Sequence, residues 1–584
     1  MVGRGIDPGD ADRIAGKMVE KNAWIAVLRL PTGFGKSTSS PIIFNRLHGL
    51  GLADRMIHVL PLRAIVEDLY VRFLCSEARE DLRGVYEALI GAGIGRGDIA
   101  FQSGDLLLKH STIECREGES YSAKKDPLFD SRAVITTLDS FMMNLMKIPV
   151  AEVFKAKRHY ASPLARIFVS AVFLDEAHYV SGDPRSIAST KLLAEYAQNA
   201  RVPLILMSAT IGRNHIEKIV GNHLKAITAC LEGDRIGGRC DVEIDGKEFI
   251  EKASSISWRI RMIDEDMVVD KAAELVGIGK RVLILVRSVK RSAEIYRRLR
   301  ERGVESRLLH AGLTLRDRGE VLSDVRSMLE TKRGFALVAT PVINAGVDMS
   351  FDAAIVEAAD FTSIIQICGR VCRSELCGDA EVFIVAQRSS KYVLDEIDKL
   401  KNIDLRIPFD IKDRKGYAVL LEIDASNTDI KGVGREILDL FGLFYPFYVS
   451  QKDITKYLLE NMGSPARRSL LIQVFIDPGR DGIELRDVLG KMITVDAWDV
   501  KRCREYADSY LEIAEENGEL VVRENKEAWE RIRMNLEHPL RLYRSLFHAR
   551  TSGSRYVVAG GILIRGEGYD KEAGLLCIQE GGEG

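Results

Sequence analysis

The chain has 584 residues, of which 46% are hydrophobic and 29% charged, and its formal net charge is -2. A chain of this length is too long for one hydrophobic core, so we expect several domains. The balanced charge excludes a globally basic nucleic-acid binder, although a local basic channel could still bind a polyanion. No apolar run of about 18 residues occurs, so no membrane span is expected.

The beginning of the sequence, MVGRGIDPGD, lacks the apolar core of a secretory signal. The nine cysteines are scattered along the chain. This distribution favours reduced thiols over a disulfide framework. Together these features predict a cytoplasmic protein.

Two blocks of the sequence alternate short apolar runs with helical stretches, which is typical of parallel sheets covered by helices. We therefore predict an α/β fold with two tandem parallel-sheet domains, residues 1–235 and 255–400, and a mixed accessory domain, residues 401–584. The strands expected in the first block are Trp24–Leu30, Met56–Leu60, Ala100–Ser103, Ala133–Thr137, Ala171–Leu174 and Pro203–Met207. Those expected in the second are Arg281–Val286, Ser306–His310, Ala336–Ala339, Ala353–Val356 and Glu381–Val385.

The first of these strands runs into a glycine-containing loop, LPTGFGKST, that is followed by a predicted helix. Glycines let the backbone wrap around phosphate oxygens, and the N-terminus of a helix points free amides at them. Lys36 would then lie between the β- and γ-phosphates, and the Ser37 hydroxyl would bind Mg²⁺. The strict pattern has glycine where Leu30 stands, and a glycine-rich turn with a solvated lysine is the alternative. The predicted nucleotide-binding residues of the loop are Pro31, Thr32, Gly33, Phe34, Gly35, Lys36, Ser37 and Thr38.

The segment AVFLDEAHYV is an apolar strand that ends in two acids. Buried carboxylates are costly unless they meet a metal or a proton-transfer task. We predict that Asp175 binds the Mg²⁺ that accompanies ATP and that Glu176 polarises the attacking water. The alternative is a capped strand end with two solvated acids.

Ser208 and Thr210, in ILMSATIG, follow the next predicted strand. Hydroxyl groups at such positions often cap a turn. They could also bond to the 176–178 region and so couple the nucleotide state to domain movement. His178 is the third residue to which we assign this coupling role.

The second block supplies a loop with Gly346 and Asp348, in LVATPVINAGVDMSF, and then the segment SIIQICGRVCR with Gln366, Arg370 and Arg373. Because the two arginines are three positions apart, they would project from one face of a helix. Two guanidinium groups aimed at the γ-phosphate would stabilise the transition-state charge, an effect of about 10³–10⁵ in rate. An exposed, salt-bridged helix face is the alternative.

Taken in order, PTGFGKS, DEAH, SAT, ATPVINAGVD and QICGRVCR resemble the motifs of the helicase superfamily 2 motor. The resemblance spans residues 24–388. It implies two RecA-like domains with ATP in the cleft between them and a nucleic-acid strand that crosses both. In members with the pattern Q-x-x-G-R-x-x-R, the residues that match Gln366, Arg370 and Arg373 act at the ATP site. Cys368 stands where many members have arginine.

Within that superfamily, PLRAIVEDLYVRF, VITTLDSFMMNLM and GEGYDKEAGLL resemble segments of the helicase subunit of type I CRISPR interference. This resemblance implies ATP-driven 3′-to-5′ movement on single-stranded DNA that a guide-RNA surveillance complex exposes. Two alternatives remain: an RNA or DNA-repair helicase of the same superfamily, and a nucleotide-gated clamp that does not unwind.

Many members of the CRISPR family carry an N-terminal metal-dependent nuclease domain built on an adjacent His-Asp pair. No His-Asp dipeptide occurs in this sequence, and the phosphate loop already begins at Leu30. We therefore expect a split form of the family, in which a separate HD nuclease subunit is a partner.

A translocase holds the nucleic-acid backbone with loops at the ends of its strands, since a motor must tolerate any base sequence. Taken one at a time, each candidate is better explained as a turn residue or a solvated charge, and the resemblance is what supports a contact with nucleic acid. The candidates are Arg63, Ser103 and Thr137 in the first domain and Arg287, Ser288 and Thr340 in the second.

Overall fold

The computed structural model describes most of the first 400 residues and a C-terminal unit that begins at residue 470. The described residues are 5–31, 33–61, 63–103, 112–116, 118–147, 161–177, 184–221, 224–232, 240–249, 257–331, 333–341, 349–372, 379–399, 435, 470–477, 479, 485–516, 519–551 and 557–578. Among them, no helix combines the length and the apolar character needed to cross a membrane.

The strands of the main sheet in the first domain form from apolar runs of the sequence, whereas two hairpin strands are polar. Its strands are β1 (Ile25–Arg29), β2 (Arg55–Leu60), β3 (Ile99–Gln102), β4 (Thr112–Arg116), β5 (Glu119–Ser122), β6 (Ala133–Thr137), β7 (Ser170–Leu174), β8 (Leu204–Ser208), β9 (Ala226–Leu231) and β10 (Val242–Ile244). β4 and β5 form a separate hairpin, and the others form an eight-stranded sheet in the order β10-β9-β1-β8-β7-β2-β6-β3. Every pairing in this sheet is parallel.

Helices cover both faces of the first sheet, as burial of a parallel sheet requires. The helices are α1 (Pro8–Lys21), α2 (Lys36–Gly49), α3 (Arg63–Leu74), α4 (Arg83–Gly91), α5 (Leu138–Leu145), α6 (Ala161–Phe168), α7 (Pro184–Ala200) and α8 (Arg213–Val220). α1 to α4 contribute to the core on one face, and α5 to α8 contribute to the core on the other.

The second domain repeats this architecture with a smaller sheet. Its strands are β11 (Ser257–Ile263), β12 (Arg281–Leu285), β13 (Ser306–Leu309), β14 (Phe335–Ala339), β15 (Ala353–Val356) and β16 (Asp379–Val385). They form one parallel sheet in the order β11-β16-β15-β12-β14-β13. Its helices are α9 (Val268–Gly277), α10 (Val289–Glu301), α11 (Leu315–Thr331), α12 (Phe361–Cys368) and α13 (Lys391–Lys399).

The C-terminal unit has a different, mostly antiparallel sheet. Its strands are β17 (Leu471–Ile476), β18 (Met492–Asp496), β19 (Ala507–Glu516), β20 (Glu519–Glu524), β21 (Val557–Ile564), β22 (Tyr569–Asp570) and β23 (Gly574–Leu575). The first five pair in the order β18-β17-β21-β19-β20, and β22 and β23 form a terminal hairpin. Its helices are α14 (Leu485–Gly490), α15 (Ala497–Val500), α16 (Lys526–Arg533) and α17 (Pro539–Thr551).

The predicted α/β fold is confirmed, and so are all the strands expected in the two blocks. The sequence did not reveal β9 and β10, which extend the first sheet at one edge, or β11, which begins the second. These strands lie in or near the stretch from Cys230 to Ile260, where charge and glycine obscure the hydrophobic alternation. The change from the first sheet to the second falls between Ile244 and Ser257.

The expectation of reduced thiols is wrong. Disulfides join Cys75 to Cys115, Cys230 to Cys240 and Cys503 to Cys577, and Cys372 is also disulfide-bonded. Scattered cysteines can pair because the fold, and not the sequence, sets the distance between their Cα atoms, which is 5.0–6.1 Å in the three pairs.

Candidate functional site

The loop between β1 and α2 has the backbone conformation that phosphate binding requires. Gly33 and Gly35 have φ angles of 87° and 93°, a region that residues with a Cβ atom rarely adopt. Gly35 is also the N-cap of α2, and no side chain caps the helix there. The amide groups of the first turn are therefore available to an anion.

Two buried side chains of the loop, those of Lys36 and Phe34, make different contacts. The Lys36 ammonium group lies 3.3 Å from the Pro31 carbonyl oxygen, at the mouth of the loop. Phe34 is a core residue whose ring packs edge-on against that of Phe249, with 5.5 Å between centroids. Phe34 thus anchors the loop to the segment that follows β10. Thr32 lies outside the described residues.

The two ends of the predicted magnesium site are in contact. The Ser37 hydroxyl donates a hydrogen bond to Oδ2 of Asp175. Ser37 follows β1 and Asp175 follows β7, and β8 lies between these two strands in the sheet. The carboxyl ends of adjacent parallel strands form the crevice in which α/β proteins bind their ligands. The fold therefore brings together two residues that are 138 positions apart.

Glu176 stands beside this contact in a strained conformation. Its φ angle is 50°, in the left-handed region that non-glycine residues rarely adopt. Its amide donates a 2.8 Å hydrogen bond to Oδ1 of Asp175, which holds the turn in place. Strained residues of this kind cluster at functional sites, where the surrounding structure enforces the geometry.

Asp175 is 1% exposed, yet it is held in the charged form. Burial by itself raises the pKa of this carboxyl group. The hydrogen bond from His58, the ammonium group of Lys36 and the hydroxyl of Ser37 outweigh burial, and the pKa of Asp175 is lowered below its ordinary value. A buried carboxylate without its proton is a suitable ligand for a hard cation.

His58 is a site residue that the motifs did not reveal. It lies in β2, it is fully buried, and its Nε2 atom is 3.4 Å from Oδ2 of Asp175. The sequence signal that could have indicated His58 was a single polar ring in the otherwise apolar run MIHVL. A buried polar group needs a partner, but the sequence does not say which partner it has.

Ser208 ends β8 and Thr210 follows it, and this strand lies between β1, which leads to the phosphate loop, and β7, which leads to the two acids. The Thr210 amide donates a 3.1 Å hydrogen bond to the Ser208 hydroxyl, which closes a local turn. Oγ1 of Thr210 is buried without a hydrogen-bond partner in the part of the chain that the structure describes. His178 lies outside the described residues, so the coupling role of these three residues stays a prediction.

Contrary to the prediction from the spacing of the two arginines, Arg370 does not lie on a helix. Helix α12 carries Gln366 but ends at Cys368, and Gly369 is its C-cap. Arg370 follows in a turn, where its carbonyl accepts a 3.0 Å hydrogen bond from the Phe351 amide. The backbone thus leaves the helical path one turn earlier than the spacing suggested. Other predicted residues of this region, Gly346, Asp348 and Arg373, lie outside the described residues.

The predicted nucleic-acid contacts gather at one end of each sheet. In the first domain, Arg63, Ser103 and Thr137 are placed at the carboxyl ends of β2, β3 and β6, which are neighbours. Arg63 begins α3, Ser103 is 1% exposed, and Thr137 is the N-cap of α5. Thr137 thus has a structural role as a helix cap, and its contact with nucleic acid stays a prediction.

In the second domain, the remaining three candidates for nucleic-acid contact follow β12 and β14, which pair with each other. Arg287 and Ser288 are exposed after β12, and Ser288 is the N-cap of α10. Thr340 is 6% exposed after β14. The Arg287 amide donates a 2.9 Å hydrogen bond to the Glu357 carboxylate, and this contact fixes the start of the loop.

Two parallel sheets, with a glycine-containing loop and a pair of acids at the carboxyl ends of the first, form the arrangement that the resemblance to superfamily 2 helicases implied. Comparison with known proteins specifies the relationship further. Residues 278–376 match the family described as CRISPR-associated nuclease/helicase Cas3, C-terminal. The resemblance to the CRISPR-associated helicase subunit is thereby confirmed.

Curated relatives carry the same name. The chain is 24% identical over 382 residues to the CRISPR-associated helicase Cas3 of Thermoproteus tenax, a match that covers 63% of this chain and 57% of the relative. It is 23% identical over 363 residues to the nuclease/helicase Cas3 of Methanothermobacter thermautotrophicus, covering 60% of this chain and 38% of the relative. The chain thus spans about half, or less, of the length of these relatives.

Solved structures show the same fold. The crystal structure of T. fusca Cas3 with AMPPNP superposes with a TM-score of 0.56 at 15% identity, covering 84% of this chain and 64% of that one. The crystal structure of T. fusca Cas3 gives a TM-score of 0.54 at 15% identity, covering 81% of this chain and 62% of that one. The chain is thus Cas3-like in sequence and in fold.

Proposed function

We propose that this chain is an ATP-driven translocase on single-stranded DNA that serves as the helicase of a type I CRISPR interference system. The observation that carries the proposal is the contact between Ser37 and Asp175. This contact joins the glycine-containing loop and its helix to a buried carboxyl group whose pKa is lowered, which is what a site for ATP and its metal would need. The names of the sequence relatives support the CRISPR assignment.

ATP and Mg²⁺ are the cofactors of this proposal. The first-turn amides of α2 and the Lys36 ammonium group would bind the phosphates. Ser37 and Asp175 fit Mg²⁺, because the metal prefers hard oxygen ligands and is usually held by one or two protein groups together with phosphate oxygens. Bound there, the metal would neutralise charge on the phosphates.

The remaining chemistry falls to residues beside the loop and in the second domain. Glu176 would orient and polarise the attacking water. Gln366, Arg370 and Arg373 would face the γ-phosphate from the second domain and stabilise the charge that develops there. Release of this contact after hydrolysis would let the two domains separate, which is the movement that a translocase needs.

The partners in this proposal are the single strand and the guide-RNA complex that exposes it. We assign no strand cleavage to the described residues, and in this scheme an HD nuclease subunit cuts the strand that the motor moves. Backbone contacts from the strand ends of both sheets would hold the DNA without reading its sequence.

A steady-state ATPase assay tests the proposal. The rate of ATP hydrolysis is measured in the presence of single-stranded DNA, duplex DNA or single-stranded RNA, all of one sequence. We expect single-stranded DNA to stimulate turnover most. The variant Lys36→Ala should lose about 10²–10³ in turnover, since it removes one preorganised charge from the phosphate site.

Stronger stimulation by RNA would favour an RNA helicase of the same superfamily. Nucleotide binding without any stimulated turnover would favour a clamp. Wild-type turnover in Lys36→Ala would overturn the assignment of the phosphate loop.

A further inference from the structure

His58 lies in the middle of β2 on the face of the sheet that α2 covers. The parallel register sets it opposite Phe173 of β7. Phe173 and Asp175 are two residues apart, so they continue along the same face. The side chain of His58 therefore points into the same layer as the acid of the phosphate site.

The hydrogen bonds of His58 determine which ring nitrogen carries the proton. Its Nε2 atom is 3.4 Å from Oδ2 of Asp175, and its Nδ1 atom is 2.9 Å from the Ser40 hydroxyl oxygen. A charged carboxylate can only accept a hydrogen bond, so Nε2 must be the donor. The Ser40 hydroxyl has one proton, which it can donate either to Nδ1 or to the Ser37 carbonyl oxygen, also 2.9 Å away.

The chain of hydrogen bonds connects two elements of the site. Ser40 belongs to α2, the helix that begins with Lys36 and Ser37. His58 therefore links the phosphate-binding helix to the acid that follows β7. The acid itself has both oxygens engaged, Oδ1 by the Glu176 amide and Oδ2 by Ser37 and His58.

The ring of His58 is also fixed by aromatic packing. It stacks on Phe173 with an interplanar angle of 11° and 6.3 Å between centroids. Phe73 of α3 meets it edge-on, with 6.2 Å between centroids. Rotation of the ring would break these contacts together with both hydrogen bonds.

We propose that His58 is a positioning residue that holds the Asp175 carboxylate beside Ser37, in the orientation in which the two side chains can bind Mg²⁺ together. The inference rests on the proposed function, because it assigns a role toward the metal of the nucleotide. A partner that orients a metal ligand in this way is typically worth about 10- to 100-fold in metal affinity.

The test compares variants that separate hydrogen bonding from packing. His58→Phe keeps an aromatic ring between Phe173 and Phe73 but cannot donate. His58→Gln keeps a donor nitrogen at a similar distance from the backbone. His48→Phe is the matched control, because His48 lies in α2, stacks on Phe44 and hydrogen-bonds to a backbone carbonyl.

The measurement is the affinity for a fluorescent, non-hydrolysable ATP analogue, first with EDTA and then across a Mg²⁺ titration. We expect all variants to bind the analogue equally in EDTA. His58→Phe should need about 10- to 100-fold more Mg²⁺ for the same gain in affinity. His58→Gln should recover most of this loss, and His48→Phe should match the wild type.

Two results would overturn the inference: a wild-type Mg²⁺ requirement in His58→Phe, or a defect in His58→Gln as large as that in His58→Phe. The second would show that only packing matters. Should His58→Phe fail to bind the analogue in EDTA, Ser40→Ala tests the same chain from its other end. Ser40→Ala should also increase the Mg²⁺ concentration needed for the same gain in affinity. An unchanged Mg²⁺ requirement in this variant would overturn the inference. If the wild type shows no Mg²⁺-dependent nucleotide binding, the proposed function itself fails.

Discussion

The hydroxyl of Tyr569, in the terminal hairpin, donates a 2.5 Å hydrogen bond to the Asp317 carboxylate at the start of α11. The same hydroxyl accepts a 3.0 Å hydrogen bond from the Thr314 amide. Tyr569 thus joins the C-terminal unit to the second parallel-sheet domain. The hairpin belongs to GEGYDKEAGLL, one of the segments that resembles the CRISPR helicase subunit.

Further contacts extend this joint. The Leu575 amide donates a 3.0 Å hydrogen bond to the Gly312 carbonyl, and the His310 ring is 3.0 Å from the Ala573 carbonyl oxygen. Beside these contacts, the Tyr296 hydroxyl donates a 3.0 Å hydrogen bond to the Glu572 carboxylate. The joint therefore combines direct backbone pairing with buried side-chain hydrogen bonds.

The close approach at the joint predicts that Gly574→Ala detaches the hairpin. Gly574 has a φ angle of 82°, and a Cβ atom there would lie 2.7 Å from the Gly312 carbonyl oxygen. The backbone would have to move, so we expect a lower thermal midpoint and faster hydrogen exchange at the Leu575 amide. Gly566→Ala is the control, because nothing lies within 4 Å of its Cβ position. Equal exchange in the two variants would argue against a docked hairpin.

The hydrogen bonds of Tyr569 predict a smaller effect for Tyr569→Phe. This change keeps the ring and removes the hydroxyl, which leaves the Thr314 amide and the Asp317 carboxylate each without one partner. We expect a loss of about 1–3 kcal/mol in the free energy of unfolding, as measured by chemical denaturation. The double variant Tyr569→Phe, Asp317→Ala should lose less free energy of unfolding than the sum of the losses in the two single variants. Strictly additive losses would contradict the contact.

The position of Glu176 predicts that Glu176→Gln separates binding from hydrolysis. The amide has the same shape and leaves the phosphate loop intact, but it is a much weaker base. We expect ATP to bind with near wild-type affinity while turnover falls by about 10²–10⁴. Filter binding and single-turnover hydrolysis measure the two quantities. Glu87→Gln, an exposed change on α4, should alter neither, and loss of ATP binding in Glu176→Gln would indicate a structural role.

Burial of His310 predicts a specific loss of stability in acid. Burial lowers the pKa of His310 to about 4, although its hydrogen bond to the Ala573 carbonyl opposes this shift. The unfolded chain, with a histidine pKa of about 6.5, therefore binds a proton that the folded state excludes. Stability is unaffected above about pH 6.5 and falls as the pH decreases toward 4, by about 3 kcal/mol at most.

Denaturation curves across this pH range for the wild type and His310→Gln measure the effect. Glutamine keeps a donor for Ala573 but does not titrate, so its loss of stability should be smaller. His215, whose pKa burial also lowers to about 4, contributes equally to both proteins. Parallel pH curves for the two proteins would show that His310 is not buried as described.

The cross-link between Cys503 and Cys577 predicts that the terminal hairpin depends on oxidation. Cys577 lies two residues after the end of β23, and the disulfide closes a loop with a sequence separation of 74 residues. A loop of this length contributes about 4 kcal/mol by chain entropy. We expect Cys577→Ser to lower the stability of the C-terminal unit, whereas Cys368→Ala, which removes a free thiol, should not affect that unit. Peptide mapping without reduction should recover the linked pair, and alkylation of both cysteines in the native protein would contradict it.

The sequence by itself determined most strands of the two parallel sheets and the order of the motifs. A buried parallel strand is a short apolar run, and the groups that follow it lie at the carboxyl edge of the sheet, so Lys36, Ser37, Asp175 and Glu176 could be assigned from local pattern alone. The fold class followed from the same alternation. The spacing argument failed for Arg370, because spacing presupposes a helix and does not show where that helix ends.

Only the tertiary structure decided which distant residues meet. His58 and Asp175 are 117 positions apart, and the parallel register of β2 and β7 brings them together. The disulfides and the docking of Tyr569 on Asp317 depend in the same way on how whole elements pack. A sequence pattern reports the environment of a residue through its neighbours along the chain. Contacts between remote elements depend on register and packing, which no local pattern encodes.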